Sequence, residues 1–275
     1  MMLDFFKMHG TGNDFILIDN FKGSRHKWVP DFVQELCRAH TGIGADGLLI
    51  IEPAEDADFK MRFFNSDGHE SDMCVNGSRC ICYLANHLKI VGKKFRFMAR
   101  DGIHRAEILP GDRVRVEVLY HPLKDDRTFP VDFKLPDSLY FRKFLNTGVP
   151  HVILETADAR NAPVESIGKA LRFHGYYAPE GTNVNFVQII NSTGPYRIRI
   201  RTYERGVDSE TLSCGSGATA AALSFFAGKD NGRRQVGVLT NGGELTVCFS
   251  GEGEKISLQG PVKIVYKGTY LKEDI

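Results

Sequence analysis

A mixed α+β fold assembled from two copies of one unit is predicted for this chain of 275 residues. Three observations predict it. Alternation of apolar and charged residues with period two recurs along the chain, the mark of half-buried strands. Apolar positions at helical spacing occur in only four segments. A shift of the sequence by 140 positions then brings chemically matching residues together in a common order, and self-similarity at a fixed offset signals a duplicated architecture.

In chain order, the first helix is expected over 31–40, entered through Pro30, whose fixed φ suits a first helical turn. Lys60-Met61-Arg62-Phe63-Phe64-Asn65 reads as a strand, and Ile81, Leu84, Ala85 and Leu88 mark a helix over 76–88. Asp101-Gly102 and Pro110-Gly111 are turn signals, followed by the strand Arg113-Val114-Arg115-Val116-Glu117-Val118. A third helix is expected over 164–173, a strand over Arg197-Ile198-Arg199-Ile200-Arg201, and a fourth helix over 215–226. Turns at Asn241-Gly242 and Ser250-Gly251 close the series, and most strands are expected to pair antiparallel.

Under the shift, Cys74 falls on Cys214, Gly77 on Gly217, Asp101-Gly102 on Asn241-Gly242 and Gly111 on Gly251. The strand before each cysteine matches at an offset near 139. Each copy therefore runs strand, polar loop, cysteine, helix, hairpins. Pro261-Val262-Lys263-Ile264-Val265-Tyr266 lies beyond the second copy and is expected to return to the first. The expected domains are 1–118 with 262–275, and 119–261.

Charge is nearly balanced, 35 Lys+Arg against 34 Asp+Glu, with the cations scattered. This argues against nucleic-acid or membrane-surface partners. The longest apolar run, 218–227, is too short for a membrane span. The opening residues lack the pattern of a secretory signal, so a cytoplasmic location is expected. There the six cysteines should be reduced thiols.

Two of those thiols stand where chemistry is favoured. Cys74 and Cys214 each open a predicted helix, and a helix N-terminus offers unpaired N–H groups and partial positive charge. These favour a thiolate and also bind a carboxylate. Inverting the α-carbon of an amino acid requires a base on one face and an acid on the other. One thiolate and one thiol meet that need with no pyridoxal cofactor, and facing halves of a duplicated fold would bring them to one cleft. Cys37, Cys80, Cys82 and Cys248 read as buried small hydrophobes. A zinc site from His69, Cys74, Cys80 and Cys82 has the wrong spacing; no metal is expected. His9, His26, His40 and His87 read as structural.

The motifs resemble those of the diaminopimelate epimerase family over essentially the whole chain. They are Gly10-Thr11-Gly12-Asn13-Asp14-Phe15, Gly42-Ile43-Gly44-Ala45-Asp46, Phe64-Asn65-Ser66-Asp67-Gly68, Cys74-x-Asn76-Gly77, Gly148-x-Pro150-His151, Thr182-Asn183-Val184, Tyr203-Glu204-Arg205-Gly206 and Ser213-Cys214-Gly215-Ser216-Gly217. The resemblance implies two similar domains, each a mostly antiparallel sheet or barrel around a central helix, with the active site in the cleft between them. It implies a homodimer that interconverts LL- and meso-2,6-diaminopimelate on the route to lysine and peptidoglycan. Cys74 and Cys214 would be the acid/base pair, with His151 and Glu204 tuning their protonation. Asn13, Asn65, Asn183, Glu204 and Arg205 would hold the substrate, helped by Val75, Asn76, Gly215 and Ser216. Val75 stands where the family commonly has glycine, a strained choice if that position needs positive φ. Gly47 and Val149 remove two possible polar contacts.

Other functions make different demands. A racemase of proline or hydroxyproline would give Arg205, Asn65 and Asn183 less to bind. A cysteine-nucleophile hydrolase would need one cysteine with a histidine base, and a binding protein of the same fold would need neither thiol.

Overall fold

The computed structural model describes residues 2–23, 28–119, 128–193, 195–226, 234–250 and 255–271. The chain divides into two compact units, Met1–Glu117 with Gln259–Ile275, and Val118–Leu258.

In the first unit β1 (Met2–Gly10) and β2 (Asn13–Asp19) form a hairpin, and α1 (Pro30–Cys37) crosses to β3 (Gly47–Glu52), which runs parallel to β2. β4 (Phe59–Asn65) returns antiparallel to β3, and the short β5 (Glu70–Ser71) leads into α2 (Val75–His87). β6 (Lys94–Ala99) lies parallel to β4, and β7 (Gly102–Leu109) and β8 (Arg113–Val118) continue as a meander.

The second unit repeats this order: β9 (Tyr140–Asn146), β10 (Pro150–Glu155), α3 (Val164–Arg172), β11 (Asn183–Asn191), β12 (Tyr196–Glu204), β13 (Ser209–Thr211), α4 (Gly215–Phe226), β14 (Arg234–Thr240), β15 (Gly243–Ser250) and β16 (Lys255–Pro261). Its pairings repeat too, with β10 parallel to β11 and β12 parallel to β14. β17 (Lys263–Leu271) stands outside the repeat and pairs antiparallel with β1. Two parallel pairs per unit go beyond the antiparallel reading drawn from turn signals. A parallel pair needs a crossover, and the helices supply it.

α4 reads Gly-Ser-Gly-Ala-Thr-Ala-Ala-Ala-Leu-Ser-Phe-Phe and packs against β9, β10, β11, β12, β14 and β15. A helix apolar on nearly every face belongs in a core. α2 is buried from Val75 to Cys82 and packs against β1, β2, β3, β4 and β7. Phe15, Leu49, Phe59, Met61 and Phe97 close around its Ile81 and Leu84. Each unit thus wraps its strands around one helix, while α1 and α3 pack on the strands from outside.

Two boundaries differ from the sequence reading. α1 stops at Cys37 because Arg38 is extended and His40 is left-handed, with φ 69°. The first hairpin after each central helix aligns at an offset of 141 rather than 140: Gly102 (φ 140°) pairs with Ala99 and Gly243 (φ 144°) with Thr240. The backbone needs its glycine just after the two turn residues, so Gly102 corresponds to Gly243 and not to Gly242. Gly251 lies outside the described residues.

α3 gives a packing test. A Cβ on Gly168 would stand 2.5 Å from Tyr203 Cβ and 2.7 Å from its Cγ on β12. Gly168→Ala should therefore destabilise by about 1–3 kcal/mol, despite alanine's better helix propensity, lowering the urea midpoint at constant m. An unchanged or raised midpoint would show that α3 slides freely on the sheet.

Candidate active site

Cys74 is the N-cap of α2, with φ −116° and ψ 118°. Its carbonyl accepts the Ser78 N–H at 2.7 Å, while its sulphur makes no capping bond and lies 3.6 Å from Asn13 Oδ1. Asn13 opens β2 after the turn Thr11-Gly12, where both φ values are positive, 55° and 89°. Its amide is held from two sides: Nδ2 donates to Asp46 Oδ2 at 2.6 Å, and Oδ1 accepts from Asn76 Nδ2 at 3.2 Å. Val75 begins the helix, buried, and is not among the left-handed residues. Valine therefore carries no such strain there. Asn65 is exposed at the end of β4.

Cys214 immediately precedes α4 and is buried. Its Sγ accepts the Gly217 N–H at 3.4 Å and lies 3.4 Å from Ser216 Oγ. An unpaired N–H of the first helical turn is thus aimed at the sulphur. Only glycine fits at 217, because a Cβ would stand 2.5 Å from Asn185 Oδ1.

Behind this turn lies His151, fully buried on β10. Its Nδ1 is 3.2 Å from Asn185 Nδ2. An amide nitrogen can only donate, so Nδ1 accepts and the ring proton sits on Nε2. Thr202 Oγ1, donating to Asn185 Oδ1 at 3.0 Å, fixes the orientation of that amide. Burial, reinforced by the charge of Arg205, lowers the His151 pKa to about 3. The imidazole is neutral near pH 7, and Nε2 has no partner among the described residues.

Asn183 stands in register with His151 across the β10–β11 pair. Its Nδ2 donates to Pro150 O and its Oδ1 accepts the Arg205 N–H, both at 2.9 Å. Glu204, at the end of β12, accepts from Thr211 Oγ1 at 2.7 Å. The half-buried Arg205 guanidinium donates to Glu180 O at 3.4 Å. Burial, then the charge of Arg172, lowers its pKa, and no carboxylate pairs with it among the described residues.

The expected residues fall into two groups, Asn13, Val75 and Asn76 around Cys74, and Gly215 and Ser216 beside Cys214 with His151, Asn183, Glu204 and Arg205 in the same unit. Burial pushes the thiols of Cys37 and Cys80 up to about 12 and that of Cys82 well above the ordinary range, which keeps them protonated. Asn185 and Thr202 were not picked out from sequence, and Asp46 entered only as the last residue of a motif, with no role assigned. Asn185 had a signal, since residues two apart on a strand share a face.

Two units of one topology, each with its strands around one buried helix, give a fold that solved structures of several other proteins share. The chain superposes on a hydroxyproline epimerase from Agrobacterium vitis with a TM-score of 0.62, 15% identity and coverage of 98% of this chain and 92% of that one. A phenazine biosynthesis protein of the PhzF family from Bacillus anthracis gives 0.72 at 15% identity, covering 99% and 100%. At such identity the likeness is one of fold. A sequence model described as diaminopimelate epimerase matches residues 5–120 and 143–265. Proteins of that name from Aquifex aeolicus and Flavobacterium psychrophilum are 40% and 39% identical, over 98% and 96% of this chain and 99% and 98% of theirs. The chain belongs to the diaminopimelate epimerase family and is an isomerase.

The neutral histidine has a stability signature. Its folded pKa, about 3, lies below its ordinary 6.5, so the unfolded chain binds the extra proton between those values. Stability contributed by the neutral form is intact above about 6.5 and is lost as pH falls toward about 3. His151→Gln should flatten that acid limb by roughly 1.4 kcal/mol per pH unit, measured as urea unfolding free energy at stepped pH. An identical slope in the variant would mean that folded His151 takes up its proton as readily as the unfolded chain.

Proposed function

We propose that this protein interconverts LL- and meso-2,6-diaminopimelate, with Cys74 and Cys214 as a thiolate/thiol pair addressing opposite faces of one α-carbon. The observation that carries this reading is the repeated placement of a cysteine at the start of a buried helix in both copies of the duplicated unit. Family membership supplies the substrate.

Removing an α-proton leaves negative charge that spreads onto the α-carboxylate. Val75 and Asn76 at α2, and Gly215 and Ser216 at α4, contribute first-turn N–H groups without intrahelical acceptors. Preorganised donors of this kind stabilise charge as it develops. The thiolate takes the α-proton, the opposite thiol delivers its own proton to the other face, and the sulphurs exchange states. The proton count on the protein is unchanged, and the product isomer enters the reverse reaction with the roles swapped. No electron-sink cofactor is part of this scheme.

His151, neutral with its proton on Nε2, serves as a hydrogen-bond donor beside the Cys214 helix, with Glu204 the carboxylate of that neighbourhood. Arg205, a guanidinium fork with no carboxylate pairing with it among the described residues, suits a substrate carboxylate. Asn65, exposed at the end of β4, offers its carboxamide to the substrate's polar groups, while Asn13 and Asn183, whose amides already bond within the protein, contribute their remaining hydrogen-bonding capacity. The protein acts in the cytoplasm on the path to lysine and peptidoglycan. Met2, Val265, Tyr266 and Leu271, exposed apolar residues of β1 and β17, support pairing of two copies.

Deuterium incorporation at the α-carbon in deuterated water, under reducing conditions, tests the reading. LL-diaminopimelate should gain deuterium while proline and hydroxyproline do not. Cys74→Ser and Cys214→Ser should each reduce epimerisation by about 10²–10⁴-fold. Full turnover in either variant would eliminate the two-thiol mechanism, and exchange with proline instead would reassign the substrate.

A further inference from the structure

The two units fill one layer of their cores with opposite chemistry. In the first, Leu49 of β3 stands between Leu17 of β2 and Phe63 of β4. In the second, Asn185 of β11 stands between Ile153 of β10 and Thr202 of β12. Phe15 and His151 precede Leu17 and Ile153 by two residues on the same strands, and so share their faces. Both layers press on the third residue of the central helix. A Cβ on Gly77 would stand 3.2 Å from Leu49 Cδ1 and 3.4 Å from Phe15 Cε1, and one on Gly217 would stand 2.5 Å from Asn185 Oδ1. Phe15, Leu49 and Phe63 thus correspond to His151, Asn185 and Thr202, and all six are buried. Burying polar groups is costly unless they are hydrogen-bonded, and the first unit builds the same layer from apolar residues. The polar version beside Cys214 is therefore not a demand of the fold.

Asn185 spends both amide hydrogens and its oxygen inside this layer. Nδ2 donates to Val152 O at 3.1 Å and to His151 Nδ1 at 3.2 Å, and Oδ1 accepts from Thr202 Oγ1 at 3.0 Å. A backbone carbonyl only accepts, so turning the amide over would set Oδ1 against Val152 O. His151 Nδ1 consequently faces an N–H, and a proton added there would oppose one N–H to another. The ring proton stays on Nε2, which has no partner among the described residues. Such a ring can donate a hydrogen bond but has no place to receive a proton.

We propose that Asn185 is the positioning residue that holds His151 as a fixed Nε2–H donor and keeps it out of the proton exchange at Cys214. The assignment rests on the two-thiol reading above. A histidine base would draw the Cys214 proton onto its ring. A fixed donor instead leaves every transferred proton on sulphur or on the substrate carbon, which is the balance that exchange between two thiols requires.

The groups around the ring act in the same direction. β9 places Leu145 opposite His151 and β11 places Asn183 beside it, neither of them charged. Arg205 opposes a second positive charge on the ring, while Glu204, at the end of β12, accepts from Thr211 Oγ1. At the mouth of α4 the titratable group is Cys214 itself, whose Sγ accepts the Gly217 N–H. Asn185 touches that same glycine, so one amide ties the histidine to the turn that carries the thiol.

Heteronuclear NMR of reduced, substrate-free protein with isotopically labelled histidine rings reports which ring nitrogen carries the proton, and the His151 signals are assigned by their loss in His151→Gln. His151 should show a protonated Nε2 and a bare Nδ1, unchanged between about pH 5 and about pH 9, the range in which an ordinary histidine titrates. Asn185→Asp replaces a donor with an acceptor, and should move the proton to Nδ1 and make the ring titrate in that range. Asn185→Leu copies the first unit and adds no charge; it should release Nδ1 and give a mixture of tautomers. Epimerisation by Asn185→Asp should fall at least about tenfold, as expected of a wrong tautomer, and its kcat should gain a pH limb that the unsubstituted protein lacks. A proton on Nδ1, or a ring that titrates within that range, in the unsubstituted protein overturns the assignment, and this reading needs no variant to fold. Unmoved His151 signals in folded Asn185→Asp and Asn185→Leu overturn it equally, as does full turnover in a variant whose tautomer has changed. The spectra are taken without substrate, so they are independent of whether diaminopimelate exchanges deuterium.

Discussion

A helix enclosed by strands must direct the N–H groups of its first turn toward whatever lies at its mouth. That constraint shapes both halves of this protein. α2 and α4 are core helices, and side chains from surrounding strands leave little room around their first turns. In each, the residue at the mouth is a cysteine. The Gly217 N–H aimed at Cys214 Sγ shows the consequence most directly: the backbone itself becomes part of the sulphur's environment. The absence of a side chain at 217 then follows, since the Asn185 amide occupies the space a Cβ would need.

The duplication reproduces topology more faithfully than chemistry. The order of strands, crossovers and central helix recurs, yet the residues around each cysteine have diverged. Cys74 sits among amides and carboxylates, with a buried guanidinium one turn along. Cys214 sits beside a hydroxyl, a glycine N–H and, further back, the Thr202–Asn185–His151 chain, which holds a neutral ring in one tautomer. Equivalent backbones thus carry different electrostatics around the two cysteines.

Much of this was legible in the sequence because its signals were local. The cysteine, the small residues after it and the apolar spacing that follows identify a helix start without knowledge of what surrounds it, and the 140-residue shift identifies its twin. Val75 shows the limit of motif reasoning: a residue that departs from a family pattern proves to be an ordinary first helical residue. The hairpin register shows another. Matching Gly102 to Gly242 is the natural reading of letters, but the backbone requires its positive φ at Gly243.

What the sequence determined by itself was the repeated unit, the four helices and the two thiols that open the central pair, since each depends on neighbours a few residues apart or on one constant offset. What only the tertiary structure decided was the parallel crossovers, the tautomer of His151, the commitment of the Asn183 amide to Arg205 and Pro150, and the isolation of Arg79 from any described carboxylate. These depend on which atoms are brought within about 3 Å across strands distant in the chain. Burial, and with it the strength of each charge, exists only once the strands have closed around the helices.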